Sequence, residues 1–390
     1  MAGLLFSLLA HVCIVASIAA SSRRFVTYVD SKGINWSAQP PTPIVNVIPT
    51  AYDTVHCGFF LPSLGKAGDF ADTATNPNPA YGGKLFVDQM HNASKRVVLS
   101  VGGATETPTS AAYFTSNDPT ELAATVAKLV KASGFDGVGI DWEDDFSGSN
   151  PGLTGYGDLS SRKAGSGPAV AWLVTLTKQL RKLLPRADGY SISHAPQAPY
   201  FDLGYGDVHK QAGDDIDYYT VQFYNQGNYY VTNGGLVDHE TIVPDPKTPS
   251  CVNPWDGSIA DLVKHGVPAS KIVVGKMVTS GDGNSGYVAP SELVGMLRYA
   301  LGKYPTLGGA MGWQWGSDTK GDWIAQLAKP FAVADKVLEA RQQQQPQCND
   351  CCDCLPQAAG QDAFCAQKTG HSGATCVQSG KDPDQGKCCW

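Results

Sequence analysis

Short apolar runs alternate along the chain with longer stretches whose apolar residues recur every three or four positions. This alternation predicts strands joined by helices in a parallel sheet. The eight runs that predict strands are Phe25–Val29, Thr54–Phe60, Arg96–Val101, Gly137–Asp141, Gly189–Ser193, Tyr218–Gln222, Ile272–Lys276 and Gly309–Gln314. Eight strand–helix repeats over this length predict the α/β class, with a (β/α)8 TIM barrel across residues 23–340.

Helix signals lie between the predicted strands. Asp118 suits the N-cap and Pro119 the first helical position, and the following apolar residues form one stripe, which predicts a helix at Pro119–Ala132. The same pattern predicts helices at Ala169–Leu184, Ile259–His265, Ser291–Leu301 and Trp323–Leu338, with Pro185 and Pro268 ending two of them. The long polar connections at Gly65–Gly83, Phe146–Gly167 and Gln226–Trp255 are typical of loops that shape a site at the carboxyl face of a barrel.

The run from Phe135 to Glu143 combines a small apolar strand with two carboxylates. Residues two apart in a strand share a face, so Gly139, Asp141 and Glu143 point the same way. Two acids on one face are costly to bury unless they are paired or hydrogen-bonded. Their position at the carboxyl end of a barrel strand predicts an active site. The alternative is a carboxylate that only caps the next helix.

The first residues are typical of an exported protein. An apolar run at Leu4–Ala20 ends in alanines, which predicts a signal peptide over residues 1–20, although no Lys or Arg precedes the run. The alternative is a retained membrane anchor, for which the run is short. We therefore expect a secreted, extracellular monomer with no membrane association after signal removal. The formal net charge of -7 argues against a nucleic-acid partner or a basic membrane patch.

The cysteines are concentrated at the end of the chain. Of the ten that remain after loss of Cys13, eight lie between Cys348 and Cys389. In an exported chain this predicts disulfides, and the alternative is a metal–thiolate cluster at Cys348, Cys351, Cys352 and Cys354. We assign residues 341–347 to a Gln-rich linker and 348–390 to a small disulfide-rich module, which is too short to hold a core otherwise. Asn35 and Asn92 begin glycosylation triplets.

The two acids suggest glycoside hydrolysis. Glu143 is the candidate proton donor, because a glycosidic oxygen leaves only when it is protonated. Asp141, two residues back on the same strand, is too close for either standard two-acid geometry. It suits a route in which the substrate's own N-acetyl oxygen attacks the anomeric carbon, while Asp141 orients the acetamide. This chemistry requires no metal and no cofactor.

Several motifs, in the expected order, resemble glycoside hydrolase family 18, the chitinases and their relatives. Phe135–Glu143 looks like the signature Asp-x-x-Asp-x-Asp-x-Glu, and Ser100-Val101-Gly102-Gly103 looks like the Ser-x-Gly-Gly of the third strand. The later matches are Ala195-Pro196-Gln197, Val221-Gln222-Phe223-Tyr224-Asn225, Ser285-Gly286-Tyr287-Val288 and Gly308-Gly309-Ala310-Met311-Gly312-Trp313. The first three of these later matches resemble the short plant- and fungal-type members, and the fourth resembles the last strand of the family.

The resemblance implies a role for each matching residue. Glu143 is the general acid/base, Asp141 orients the acetamide, and the Tyr224 hydroxyl contacts the acetamide oxygen. The implied substrate-binding residues are Gln222, Asn225, Trp313, Gly102 and Gln197, with Trp313 as the apolar floor. Asp136, Gly139 and Ser100 are implied as structural positions of the motifs. For Trp313 and Tyr224 the alternatives are a core tryptophan and a satisfied interior hydroxyl.

Gly139 departs from the family pattern, which has an aspartate there. The resemblance implies that this aspartate shares a proton with the acetamide-orienting acid, so Asp141 loses a partner in this chain. We therefore expect Gly139→Asp to raise kcat more than it changes KM. A neutral or harmful effect would indicate that the site has its own substitute for the missing acid. The predicted function is a chitinase that binds chitin or N-acetylglucosamine oligosaccharides. The alternatives are a catalytically silent chitin-binding protein and an endo-β-N-acetylglucosaminidase acting on N-glycans.

Overall fold

The structure is a computed structural model that describes residues 23–29, 44–62, 83–104, 118–143, 168–239, 257–344, 375–378 and 386–389. Eight parallel strands close a barrel in the order β1 to β8. They are β1 Arg24–Val29, β2 Thr54–Phe60, β3 Arg96–Gly102, β4 Gly137–Asp141, β5 Ser191–His194, β6 Tyr218–Gln222, β7 Ile272–Met277 and β8 Gly309–Trp313. The predicted (β/α)8 barrel is confirmed.

Helices follow most of the strands in the described residues. They are α1 Gly83–Asn92, α2 Pro119–Ser133, α3 Pro168–Leu183, α4 Gly206–Ala212, α5 Ile259–Lys264, α6 Pro290–Lys303 and α7 Asp322–Gln344. Asp118 caps α2 as predicted, because its Oδ1 accepts a hydrogen bond of 2.7 Å from the Thr120 backbone amide. The π-helical turns Phe201–Tyr205 and Gly234–Asp238 were not predicted, and neither were α1 and α4.

Several boundaries differ from the predictions, and two of the differences have local reasons. Strand β5 begins at Ser191 rather than Gly189, because Gly189 has a φ of 88° and ends a 3-10 turn at Arg186–Asp188. Helix α7 continues through Gln344, past the predicted end at Leu338 and into the residues that we assigned to the linker. Glutamine is a good helix former, so the absence of an apolar pattern did not end the helix.

The core lies in two layers that the strands separate. Outward-facing strand residues such as Val55, Leu99, Ile140 and Val221 pack in the larger hydrophobic cluster, to which the helices also contribute. A smaller cluster fills the barrel with residues that include Tyr28, Tyr218, Met277 and Met311. In the register of the central strands, Gly139 of β4 lies between Ser100 of β3 and Ser193 of β5. The barrel interior beneath the acids is therefore partly polar.

The chain divides into two compact units. The barrel belongs to the unit Ser21–Lys336, and the other unit includes an antiparallel pair of strands, β9 Thr375–Gln378 and β10 Gly386–Cys389. Within the described ranges, Cys57 of β2 is buried and free. The signal peptide, the disulfides of the Cys-rich module and the metal–thiolate alternative concern side chains outside the described residues and stay predictions. In the part of the chain that the structure describes, none of the helices combines the length and apolar character of a membrane span.

Candidate active site

Strand β4 ends at the two acids. Asp141 is its last residue and only 5% exposed, and Glu143 follows at a half-buried position. The intervening Trp142 faces the other way and packs against Trp172 of α3, with 5.7 Å between the ring centroids. The alternation expected of a strand therefore continues to Glu143, and both acids face the barrel interior.

The side chain of Gln222, at the end of β6, joins the two acids. Its Nε2 atom lies 3.0 Å from Asp141 Oδ1 and 3.2 Å from Glu143 Oε1, and it also lies 3.0 Å from the backbone oxygen of Ala195. One amide group thus donates to both carboxyl groups. The structure places three of the predicted site residues in one hydrogen-bonded group.

The environment of Asp141 favours its protonated form. Burial raises the pKa of Asp141 well above its ordinary value, and the negative charge of Glu143 raises it further. The hydrogen bond from Gln222 acts in the opposite direction but is the smallest of the three influences. Two interacting carboxyl groups in such a site titrate as a pair that holds one proton.

Backbone contacts fix the end of β4. The Tyr200 hydroxyl donates a hydrogen bond of 2.9 Å to the backbone oxygen of Glu143, and the Gly103 amide donates one of 2.9 Å to that of Asp141. Gly103 has a φ of 86°, and a Cβ atom there would lie 3.0 Å from the Phe59 ring. This contact explains the second glycine of the Ser-x-Gly-Gly motif. Our sequence reasoning missed Tyr200, which no local pattern distinguishes.

An aromatic group lies beside the acids. Trp313, half-buried at the end of β8, has its ring centroid 5.7 Å from that of Tyr28 and 6.2 Å from that of Phe59. Tyr224 is 4% exposed and belongs with them to the cluster inside the barrel. We missed Tyr28 and Phe59 from the sequence, although the period of β1 places Tyr28 on the inner face. The aromatic group could support the apolar face of a sugar ring.

Three further predicted residues have backbone contacts in this region. Gln197 pairs with Gln222 in an isolated parallel bridge and is 5% exposed. Asn225 has a φ of 64°, and its Oδ1 atom accepts a hydrogen bond of 2.6 Å from the Asn284 amide. Gly102, with a φ of 100°, ends β3 beside Asp141. These contacts position the loops, and the substrate-binding roles of the three residues stay predictions.

Asp136 lies at the opposite end of β4 from the acids. Its Oδ2 atom accepts hydrogen bonds of 2.7 Å from the Val97 amide and 3.0 Å from His91 Nε2. Its contacts therefore link β4 to β3 and α1 below the site. Among the described residues, no group of three or more His, Cys, Asp or Glu side chains could hold a metal ion.

His56 fills the space next to Gly139. A Cβ atom on Gly139 would lie 2.8 Å from both Cε1 and Nδ1 of the His56 ring and 3.0 Å from Ser193 Oγ. The His56 ring is fully buried, and its centroid is 4.6 Å from that of Tyr28. A neighbour thus occupies the space of the missing acid, which argues against the gain in kcat that we predicted for Gly139→Asp. We now expect that single substitution to be harmful.

A closed parallel barrel with paired acids at the end of β4 is an arrangement of glycoside hydrolases. The family model for glycosyl hydrolases family 18 matches residues 24–324, and the chain belongs to this family. A solved chitinase of this family from Pseudoalteromonas aurantia is 26% identical, with a TM-score of 0.61 over 79% of this chain and 99% of that one. A fungal endo-β-N-acetylglucosaminidase, 18% identical with a TM-score of 0.53 over 80% of this chain and 97% of that one, shares the fold.

Curated relatives are also chitinases. Endochitinase 4 of Metarhizium robertsii is 25% identical over 256 residues, which are 60% of this chain and 67% of that protein. Chitinase ChiA of Flavobacterium johnsoniae is 25% identical over 229 residues, which are 51% of this chain. The match spans only 14% of the length of that chitinase. The comparisons thus establish the family and the barrel, and they leave the substrate specificity of this chain open.

Proposed function

We propose that this protein is a secreted chitinase that hydrolyses β-1,4 links between N-acetylglucosamine units with retention at the anomeric carbon. The observation that carries the proposal is the Gln222 amide, which lies within 3.2 Å of both Asp141 and Glu143. Two acids that one amide contacts at the end of one strand lie on the same side of the site, whereas the standard two-acid mechanisms need carboxyl groups that flank the scissile bond. This arrangement suits a nucleophile that the substrate itself supplies.

Glu143 donates its proton to the glycosidic oxygen, and the bond from that oxygen to the anomeric carbon breaks. The carbonyl oxygen of the substrate's N-acetyl group forms a new bond to the same carbon, which gives a cyclic oxazolinium. Asp141 holds the acetamide N–H and stabilises the positive charge that develops on the ring. Glu143 then removes a proton from the water that opens the oxazolinium, so the acid is restored for the next turnover.

The proposed roles require one proton on the pair of acids, and Glu143 must carry it when the glycosidic bond breaks. Burial and the neighbouring Glu143 charge keep a proton on the pair at higher pH than an isolated carboxyl group would. Glu143, the more exposed of the two acids, is the one placed to pass that proton to the leaving oxygen. Trp313 contacts the apolar face of the sugar, and the Tyr224 hydroxyl contacts the acetamide oxygen. Gln222, in turn, holds the two carboxyl groups in position.

The assay compares three substrates with purified full-length protein. They are an N-acetylglucosamine hexamer, the fully deacetylated glucosamine hexamer, and a glycoprotein with N-linked glycans. We expect cleavage of the first substrate alone, because only it carries both the β-1,4 chitin link and the acetamide nucleophile. Product anomers observed by NMR should be β immediately after cleavage.

Two variants make this assay specific. Glu143→Gln should bind the acetylated hexamer and abolish its cleavage, whereas Glu292→Gln, the same change at an exposed position of α6, should leave activity unchanged. Efficient cleavage of the deacetylated hexamer would exclude an acetamide nucleophile. Glycan release from the glycoprotein alone would favour the endoglycosidase, and binding without turnover would favour the silent chitin-binding protein.

A further inference from the structure

The space beneath Asp141 is lined by polar groups that do not come from β4. His56 Nδ1 and Ser100 Oγ are both buried, and neither has a hydrogen-bond partner among the described residues. Ser100 is the register partner of Gly139 on β3, and Ser193 is its partner on β5. Buried polar groups without partners are rare, so a cluster of them at the base of a site calls for an explanation.

His56 is held so that one ring nitrogen faces this space. Its Nε2 atom lies 2.9 Å from the Tyr218 hydroxyl, and its ring packs against Tyr28. The other nitrogen, Nδ1, lies 2.8 Å from the position that a Cβ atom of Gly139 would occupy, as does Cε1. The imidazole therefore presents a polar atom where a longer side chain at Gly139 would otherwise extend.

This space is within reach of Asp141. Same-face neighbours in a strand are about 6.5 Å apart, so a carboxyl group at Asp141 that turns into the barrel approaches the groups around Gly139. Tyr28 provides a second link between the two positions. Burial, and then the charge of Asp141, raise the pKa of Tyr28 well above its ordinary value, which places Asp141 near the residue that packs on His56.

We propose that His56 is a positioning residue for the reaction: its imidazole, with the Ser100 and Ser193 hydroxyls, holds the Asp141 carboxyl group on the side away from Glu143. The proposal rests on the proposed function. Hydroxyl groups can donate or accept, so this group of three side chains, the His56 seat, can hold Asp141 with or without a proton. Burial lowers the pKa of His56 to about 3, so the ring adds no charge to the site at neutral pH.

The His56 seat also explains why Gly139 has no side chain. An aspartate at 139 and a histidine at 56 need the same space, because the contacts of 2.8 Å involve a packed ring rather than the end of a flexible side chain. Each residue therefore excludes the other. Gly139→Asp should be tolerated only when His56 is made small.

The first experiment is a double-mutant cycle with Gly139→Asp, His56→Ala and the two together. We expect kcat on the acetylated hexamer to fall roughly 10- to 100-fold in each single variant, the range found for residues that orient ligating or catalytic groups. The double variant should exceed both single variants in kcat and melt at a higher temperature than Gly139→Asp. Additive losses in the double variant would overturn the proposal.

The second experiment separates positioning from packing. His56→Phe keeps an aromatic ring against Tyr28 without a nitrogen, whereas His56→Asn keeps a polar group near the position of Nδ1. We expect kcat to be lower in His56→Phe than in His56→Asn, with KM changed much less than kcat in both. Wild-type kcat in a folded His56→Phe variant would overturn the proposal. If His56→Phe does not fold, the double-mutant cycle provides the test instead.

His194 provides the matched control. It is also fully buried, and burial lowers its pKa to about 3 as well, but its ring contacts Thr177 and Tyr205 outside the barrel. His194→Asn should lower stability and leave kcat of the folded protein unchanged. A kcat loss in His194→Asn as large as that in the His56 variants would also overturn the proposal. The absence of wild-type turnover would refute the proposed function, whereas an active wild type with an active His56→Phe variant would refute the positioning role alone.

Discussion

The Lys276 amino group donates a hydrogen bond of 2.6 Å to the backbone oxygen of Phe223, the residue directly before Tyr224. The same Nζ atom lies 2.7 Å from the oxygen of Tyr230 and 3.2 Å from that of Gly286. Lys276 lies on β7 and is fully buried. One side chain therefore ties the strand end that carries Tyr224 to two neighbouring loops of the site.

Lys276→Met should loosen this connection. The substitution keeps the length of the side chain but leaves three buried carbonyl groups without their donor, so we expect a loss of at least about 2 kcal/mol in the free energy of unfolding. Chemical denaturation measures this loss, and kcat on the acetylated hexamer should fall because Tyr224 is no longer fixed. Lys329→Met, at an exposed position of α7, is the control. Equal stability in the two variants would show that the carbonyl contacts contribute nothing.

Gln222→Leu tests the shared amide. Its hydrogen bond lowers the pKa of Asp141, so its removal should raise that pKa further. If turnover requires ionised Asp141, the acid limb of the kcat/KM profile should move to higher pH, and kcat should fall roughly 10- to 100-fold. Gln326→Leu on α7 serves as a control away from β4 and β6. An unshifted acid limb would show that Gln222 does not influence the titration.

Acid should destabilise the protein through its buried histidines. Burial lowers the pKa of both His56 and His194 to about 3, whereas an unfolded histidine titrates near 6.5. The unfolded chain therefore binds more protons between these values, and stability falls as the pH falls from about 6.5 towards 3. Each histidine contributes up to about 1.4 kcal/mol per pH unit in this window.

The slope of unfolding free energy against pH, measured by chemical denaturation at several pH values, checks this prediction. His194→Gln should remove one contribution, so the difference between its slope and that of the wild type isolates the histidine from other groups. Asp53 and Asp318, whose pKa values burial raises, act in the opposite direction and are present in both proteins. Parallel curves for the two proteins would contradict the prediction.

Gly103→Ala should damage both stability and activity. The φ of 86° is unfavourable for alanine, and the new Cβ atom would lie 3.0 Å from the Phe59 ring, which packs near Trp313. We expect a loss of about 1–3 kcal/mol in unfolding free energy and a lower kcat. Gly295→Ala in α6 is the contrasting control, because a Cβ atom there meets nothing within 4 Å. That variant should gain about 0.5–1 kcal/mol, and a loss of similar size in both would argue against the Phe59 contact.

The sequence by itself determined the barrel and the position of the two acids. Strand and helix periods are local properties, so eight apolar runs and the helices between them could be predicted with small errors at the ends. The same period placed Asp141 and Glu143 on one inward face. The family resemblance supplied the roles of Glu143, Asp141 and Tyr224. The contacts in the structure are compatible with those roles.

Only the tertiary structure decided which side chains meet those acids. Gln222 is 81 positions from Asp141 in the chain, and it reaches both acids because barrel closure brings the ends of β4 and β6 together. The same closure places His56 of β2 in the space that Gly139 leaves open. It also places the Lys276 amino group against the backbone oxygen of Phe223, next to Tyr224. Contacts across a barrel depend on strand register and on which side chain fills a shared volume. Neither quantity is encoded in the pattern of any single segment, so the partners of the acids could be found only in the folded chain.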